Sequence, residues 1–431
     1  MSTRPSTWNV PASRVAKNAH NPIRQIVDKL KVDPNAEKDL ISLALGDPTV
    51  FGNFNVDDSC NEAVIRNLQT FKANGYPPAH VLIMLKSPGT EQARAAVAEK
   101  FNHPDSPLTA RDVILANGCS GALDLAINVL CTEGQNMLIP RPGFSLYENL
   151  AVSRFIEAKF YNLVVGDSYF NPERSWEADL EHMESLIDDK TACILVNNPS
   201  NPCGSVYSEQ HLRDILALAE KHHLPIIADE IYCDLVFKGN HFYPMATLTK
   251  EVPILSVGGL AKKYLVPGWR VGWVTVHDRN GILKEVHEGI LNLSQLILGP
   301  CSIIQAALPD ILHNTPQEFH DKTIEQLEVC EMAYSLNTKI SEEGISQIPG
   351  LTAVVPQGAM YMMVGVNIAD FKDIKDDVEF TQKLVAEENV LCLPGQCFGY
   401  PNFFRIVITP PADRLKEAYE RMKQFCARHH V

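Results

Sequence analysis

Between about residues 110 and 280 the chain alternates short apolar runs with amphipathic stretches. This rhythm restricts the fold more than any other feature. The runs are VILA at 113–116, NMLIP at 136–140, ACILVNN at 192–198, LPIIAD at 224–229, PILSV at 253–257 and VGWVTV at 271–276. Several are near-continuous in apolar residues, as strands covered on both faces must be. Between them, SGALDLAINVL at 120–130 and EQHLRDILALAEKHH at 209–223 repeat apolar residues at helical spacing. The alternation predicts an α/β fold, a mostly parallel sheet sandwiched by helices.

The flanks read differently. Residues 1–40 carry Pro11, Pro22 and Pro34 among many charges, which fits an arm better than a core. RLKEAYERMKQFCARHH at 414–430 reads as one amphipathic helix, and a helical zone over about 316–344 as a link to a smaller C-terminal domain. At 431 residues the chain is longer than one hydrophobic core usually serves.

Composition removes several classes of function. A formal net charge of -14 leaves no basic face for nucleic acid. The longest aliphatic run, VLIML at 81–85, is far short of a membrane span, and the N-terminus shows no signal-type apolar core. Eleven scattered cysteines with no CxxC pair suit a reducing compartment, so a cytoplasmic location is expected. His222–His223 and His429–His430 point about 100° apart on a helical period; they are read as surface residues, and no metal site is expected.

In an open parallel sheet, ligands sit beyond the carboxyl ends of the strands. Asn201 follows the third run in PSNPCG, Asp229 and Tyr232 close the fourth, and Lys262 and Arg270 follow the fifth. Singly, each has a bland reading: a turn asparagine, a helix cap, a surface ion pair. Together, a carboxylate, a lysine and an arginine on one sheet edge call for a charged ligand. Pyridoxal phosphate answers all three, with an aldehyde for the lysine, a ring nitrogen for the carboxylate and a phosphate for the arginine. ANGCSGALDL at 116–125 opens a helix after a strand and offers N–H groups near Gly118, Cys119 and Ser120 to that phosphate. It is neither a Walker A loop nor a GxGxxG fingerprint, which argues against a nucleotide or nicotinamide.

The ordered set NPSNPCG, ADEIY and GGLAKKYLVPGWRVGW resembles the fold-type I, pyridoxal-phosphate-dependent aminotransferases. HNPIRQIVDKL, LGDPTVFGN, RPGFSLY, TPQEF, GAMYMMV and YPNFFRIVIT narrow the likeness to the branch acting on tyrosine, over nearly the whole chain from about residue 17. The resemblance implies transamination of an aromatic L-amino acid with 2-oxoglutarate, giving the aryl-pyruvate and glutamate. It also implies a smaller α/β domain built from both chain ends: an arm over 1–20, then 21–75 and 316–431 around a large domain over 76–315. In residue terms, Lys262 would bond the cofactor aldehyde and move the substrate proton, while Asp229 would hold the ring nitrogen's proton. Tyr232 and Asn201 would bond the ring oxygen, Phe144 would stack on the ring, and Ser120, the Cys119 backbone and Arg270 would hold the phosphate. Arg405 and the Gly46 backbone would receive the substrate carboxylate, Arg405 as a fork that lysine does not reproduce. Tyr76 would reach the phosphate of a neighbouring subunit, making a homodimer the catalytic unit.

Two positions depart from the family pattern. Gly259 stands where many relatives have a serine, as in the tyrosine branch. Tyr76 and Arg94 lie eighteen positions apart rather than about ten, as if VLIMLKSP at 81–88 were inserted. Alanine or broad-range transamination and a C–S β-lyase reaction fit the same residues. Of the lysine doublet, Lys262 stands eight positions before Arg270 and is read as the buried nucleophile, with Lys263 a peripheral charge.

Overall fold

Each of the six apolar runs forms a strand, and their alternate residues feed cores on opposite sides of one sheet. The computed structural model describes residues 11–19, 21–27, 37–75, 88–165, 175–327 and 337–431. The large sheet has eight strands, ordered Val113–Asn117, Val271–His277, Ile254–Gly259, Ile226–Asp229, Thr191–Asn197, Asn136–Arg141, Glu157–Val165 and Trp176–Ala178. Pairing is parallel across the middle; Val271–His277 and Trp176–Ala178 run antiparallel to their neighbours. Leu195, Ile227 and Leu255 point to one face, against Ala122, Ala126 and Ile127 of the helix Gly118–Leu130. Ile194, Ile226 and Ile254 point to the other, against Leu212, Ile215 and Ala219 of the helix Glu209–Lys221. This period of two explains why the runs had to be apolar throughout.

A second, antiparallel sheet of four strands orders Leu351–Val354, Tyr361–Val366, Phe403–Val407 and Leu393–Pro394. The helices Asp377–Glu388 and Ala412–His429 pack on it through Phe380, Leu384, Leu415, Met422 and Phe425. Ile41–Ser42 pairs in parallel with Val390–Leu391, so an early segment joins the late one. Helix Asp58–Gln69 packs instead on Ser302–Asn314, as does Glu91–Phe101, in a core that takes in Cys60, Ala63 and Ala96. The helical zone at 316–344 holds two described helices, Gln317–Leu327 and Asn337–Ser346. Among the described residues no helix is long and apolar enough to cross a membrane.

Register aligns the strand ends that matter. Asn197 pairs with Asp229 and Asp229 with Val257, while Gly259 meets Gly272 and Asn117 meets Val271. All lie along one edge of the large sheet, and the strand Phe403–Val407 brings Arg405 to it from the smaller sheet.

Candidate active site

Asp229 ends its strand almost fully buried. Its carboxylate accepts the Tyr147 hydroxyl at 2.7 Å and the Ile231 N–H at 3.3 Å, with the Cys119 thiol 3.7 Å away. Burial raises its pKa against these hydrogen bonds. Phe144 sets its ring edge-on to Tyr147 at 5.7 Å. Tyr147 lies in RPGFSLY yet was not singled out from sequence; its position one turn after Phe144 was the available signal.

Lys262 reaches across the sheet edge and donates to the Gly46 carbonyl at 2.6 Å. Gly46 belongs to the extended segment after Ile41–Ser42, where the Arg405 guanidinium also donates, at 2.6 Å, to the Ala44 carbonyl. A second Arg405 nitrogen donates to Asn201 Oδ1 at 2.9 Å, while its Nε has no partner among the described residues. Arg405 is 4% exposed and stacks over the Tyr361 ring at 4.3 Å and the Phe398 ring at 4.9 Å.

Tyr361 is the second functional residue that the sequence reading passed over. Its hydroxyl is 2.8 Å from that of Tyr232, and a Cβ on Gly46 would fall 2.3 Å from its oxygen. Burial pushes its pKa up, but Lys262 and Arg405 beside it outweigh burial and bring it below the usual phenol value. Tyr232 is pushed up by burial, with Tyr361 beside it adding to the rise.

At the other end of the site, the backbone at Gly118 and Cys119 opens a 13-residue helix. Close approach explains two glycines there. A Cβ on Gly272 would sit 2.3 Å from the Gly118 carbonyl carbon, and one on Gly118 would sit 2.6 Å from Arg270 Nη2. Arg270 adopts a left-handed backbone, φ 53°, and among the described residues its exposed guanidinium donates only to the carbonyls of Pro267 and Asn117.

A family model for aminotransferases of class I and II matches residues 38–422. The chain is 51% identical to mouse tyrosine aminotransferase, across 99% of this chain and 89% of that one. It is 50% identical to the Dictyostelium discoideum tyrosine aminotransferase, across 98% and 97%. The crystal structure of tyrosine aminotransferase from Leishmania infantum superposes with a TM-score of 0.89 at 33% identity, covering 99% of this chain and 100% of that one. The chain belongs to the class I and II aminotransferases.

For an aminotransferase, the residues present fit pyridoxal phosphate. Asp229 supplies a buried anion, Lys262 an amine, and Arg405 a buried cation with an unused Nε. Arg270 and the helix start leave a glycine-lined cradle where an anion finds N–H groups and a guanidinium. The structure brings together Lys262, Asp229, Tyr232, Asn201, Arg405 and Gly46, with Cys119 beside Asp229 and Phe144 against the Tyr147 that bonds Asp229. Ser120 lies exposed in the first turn of the helix. Tyr76 lies outside the described residues, as do 81–87 of the inserted stretch.

Two expectations are corrected. The lysine doublet has its burial reversed: Lys262 is half-buried, whereas Lys263 is 8% exposed and bonds Asp234 at 2.7 Å. Lys263 is therefore a buried, ion-paired residue and no peripheral charge. Likewise His429 is buried between Asp373, at 2.7 Å, and Glu387, at 2.9 Å, because its helix turns that side inward.

Proposed function

We propose that this aminotransferase moves the amino group of an aromatic L-amino acid, tyrosine foremost and phenylalanine with it, to 2-oxoglutarate. The products are the aryl-pyruvate and L-glutamate, as in the first step of tyrosine breakdown. The observation that carries the reading is the convergence of Lys262, Asp229 and Arg405 on one sheet edge, each held by neutral groups. The names of relatives at about half identity supply the amino donor.

Pyridoxal phosphate, when bound, supplies an aldehyde that takes up the amino group and a ring that accepts the electrons of the Cα–H bond. Asp229 holds the proton on the ring nitrogen, and its contacts with Tyr147 and Cys119 fix the carboxylate for that task. The Lys262 amine would hold the aldehyde and, as a free amine, would carry the proton from the substrate Cα to the former aldehyde carbon on the other side of the amino nitrogen. Tyr232 and Asn201 would hold the ring oxygen, Phe144 would cover the ring, and Ser120, Cys119 and Arg270 would hold the phosphate. Arg405 binds the substrate carboxylate with Gly46 beside it; Asn201 and Ala44 hold the guanidinium flat for a bidentate contact.

We further propose that the chain works as a cytoplasmic homodimer, with Tyr76 reaching the neighbouring phosphate. The smaller domain would be built from 21–75 and 316–431 around a larger one over 76–315, with an arm over 1–20. A panel of amino donors against 2-oxoglutarate and pyruvate tests the reaction. Tyrosine and phenylalanine should give the highest kcat/KM, with glutamate formed in equal amount. Activity confined to alanine, or pyruvate with ammonia released from a cysteine conjugate, would overturn the assignment.

A further inference from the structure

The two charged doublets of the site send their members to different places. Asp229 and Lys262 belong to the active site, whereas Glu230 and Lys263 line a separate hollow of about 250 Å³ on the far side of Gly258 and Gly259. None of Asp229, Lys262, Asn201 or Arg405 lines it.

The charges in this hollow are unevenly paired. Lys263 is closed on Asp234 at 2.7 Å. Glu230 accepts the Met245 N–H at 2.9 Å and has no cationic partner among the described residues. Burial raises its carboxyl pKa to about 7. His277, another wall residue, has its pKa lowered to about 4, chiefly by burial, and adds no positive charge at neutral pH. Burial likewise raises the Cys233 thiol and keeps it neutral. Lys100 lies at the exposed rim. The interior thus holds one carboxyl on which no described cation closes, partly protonated near neutral pH, and a bound cation would take the place of that proton.

The remaining walls are aromatic. Phe101, Phe242, Tyr264 and Trp273 surround the space, and the buried Tyr264 hydroxyl has no partner among the described residues. Exposed Asn102, His103 and Pro244 frame its mouth. A carboxylate set among aromatic faces is the chemistry that recognises an organic ammonium ion, charge against charge and methyl or methylene groups against the rings.

We propose that this hollow is a second ligand site, taking a small organic cation with its ammonium at Glu230 and its apolar body against Phe242 and Trp273. The inference does not depend on the reaction proposed above. Phenyltrimethylammonium is a suitable probe, since it has no N–H and does not condense with an aldehyde. Titrated calorimetrically into the cofactor-loaded protein, it should bind saturably, once per chain. Glu230→Gln should weaken binding at least tenfold and Phe242→Ala several-fold, while Lys262→Ala in the active site leaves the affinity unchanged. Should Glu230→Gln not fold, Phe242→Ala carries the test. Absence of saturable binding up to 10 mM probe, or unaltered affinity in a folded Glu230 or Phe242 variant, overturns the proposal. So does loss of binding in Lys262→Ala, which would place the probe in the active site.

Discussion

Charged side chains gather in two regions of the molecule, and their partners differ in kind. At the active site Asp229 is held by a phenol, a thiol and an N–H, Lys262 by a carbonyl, and Arg405 by an amide oxygen and a carbonyl. At the corner where Ala412–His429 meets Asp377–Glu388, charges close on one another. Arg428 bonds Glu387 at 2.9 Å and Glu388 at 2.6 Å, His429 lies between Asp373 and Glu387, and Lys383 reaches Asp373 at 3.0 Å. Neutral dipoles fix a charge in position but leave its field for another molecule, whereas an ion network neutralises it in place. The first arrangement costs stability until a charged ligand arrives; the second ties two helices together.

If that contrast is right, altering the first region should destroy turnover and spare the fold. Lys262→Ala should lower kcat by roughly 10⁴-fold, the upper end for an acid–base group, with the unfolding temperature of the apo-protein little changed. Residual activity near wild type, measured with tyrosine and 2-oxoglutarate, would remove Lys262 from the chemistry. Arg405→Lys keeps the charge but loses the fork. Forfeiting one charge-assisted hydrogen bond is worth about 1.5–3 kcal/mol, so kcat/KM should fall roughly 10- to 100-fold. The loss should appear with tyrosine and with 2-oxoglutarate alike, since both present a carboxylate to the same guanidinium.

Much of this was legible in the sequence because it rests on short-range pattern. The central strands are covered on both sides, so their composition alone marks them, and the polar residues just beyond their ends mark the site. The strand Glu157–Val165 was not legible: it lies next to the sheet edge, and Glu157, Lys159 and Asn162 interrupt its apolar residues. Tyr147 and Tyr361 escaped because a tyrosine amid apolar residues looks like core until tertiary structure sets its hydroxyl against Asp229 or Tyr232. The lysine doublet shows the same limit. Spacing to Arg270 separated the two residues by role, but burial depended on Asp234, whose contact with Lys263 comes from folding.

Tyr361 offers a finer test of the active-site side. Tyr361→Phe removes the only hydroxyl bonded to Tyr232 among the described residues while keeping the ring on which Arg405 stacks. One neutral hydrogen bond is worth about 1 kcal/mol, so kcat/KM should drop roughly fivefold. The pH profile should move as well, because a hydroxyl of lowered pKa near Lys262 and Arg405 is gone. An unchanged profile would leave Tyr361 as packing alone.

The smallest effect belongs to the other region. His429→Gln should leave kcat unchanged and lower the unfolding temperature by roughly 1–2 °C near pH 5.5. Hydrogen bonds from His429 and then Lys383 hold the Asp373 carboxyl below its usual range. A carboxylate whose folded pKa is depressed stabilises the fold above its unfolded value, about 3.9, and that stabilisation is lost as pH falls through the lower folded value. The gap between wild type and His429→Gln should therefore narrow from pH 5.5 towards pH 3. A gap that stayed constant over this range would mean that His429 contributes by filling space beside Phe425, whose ring lies 4.5 Å away, and that the charges around it do not matter.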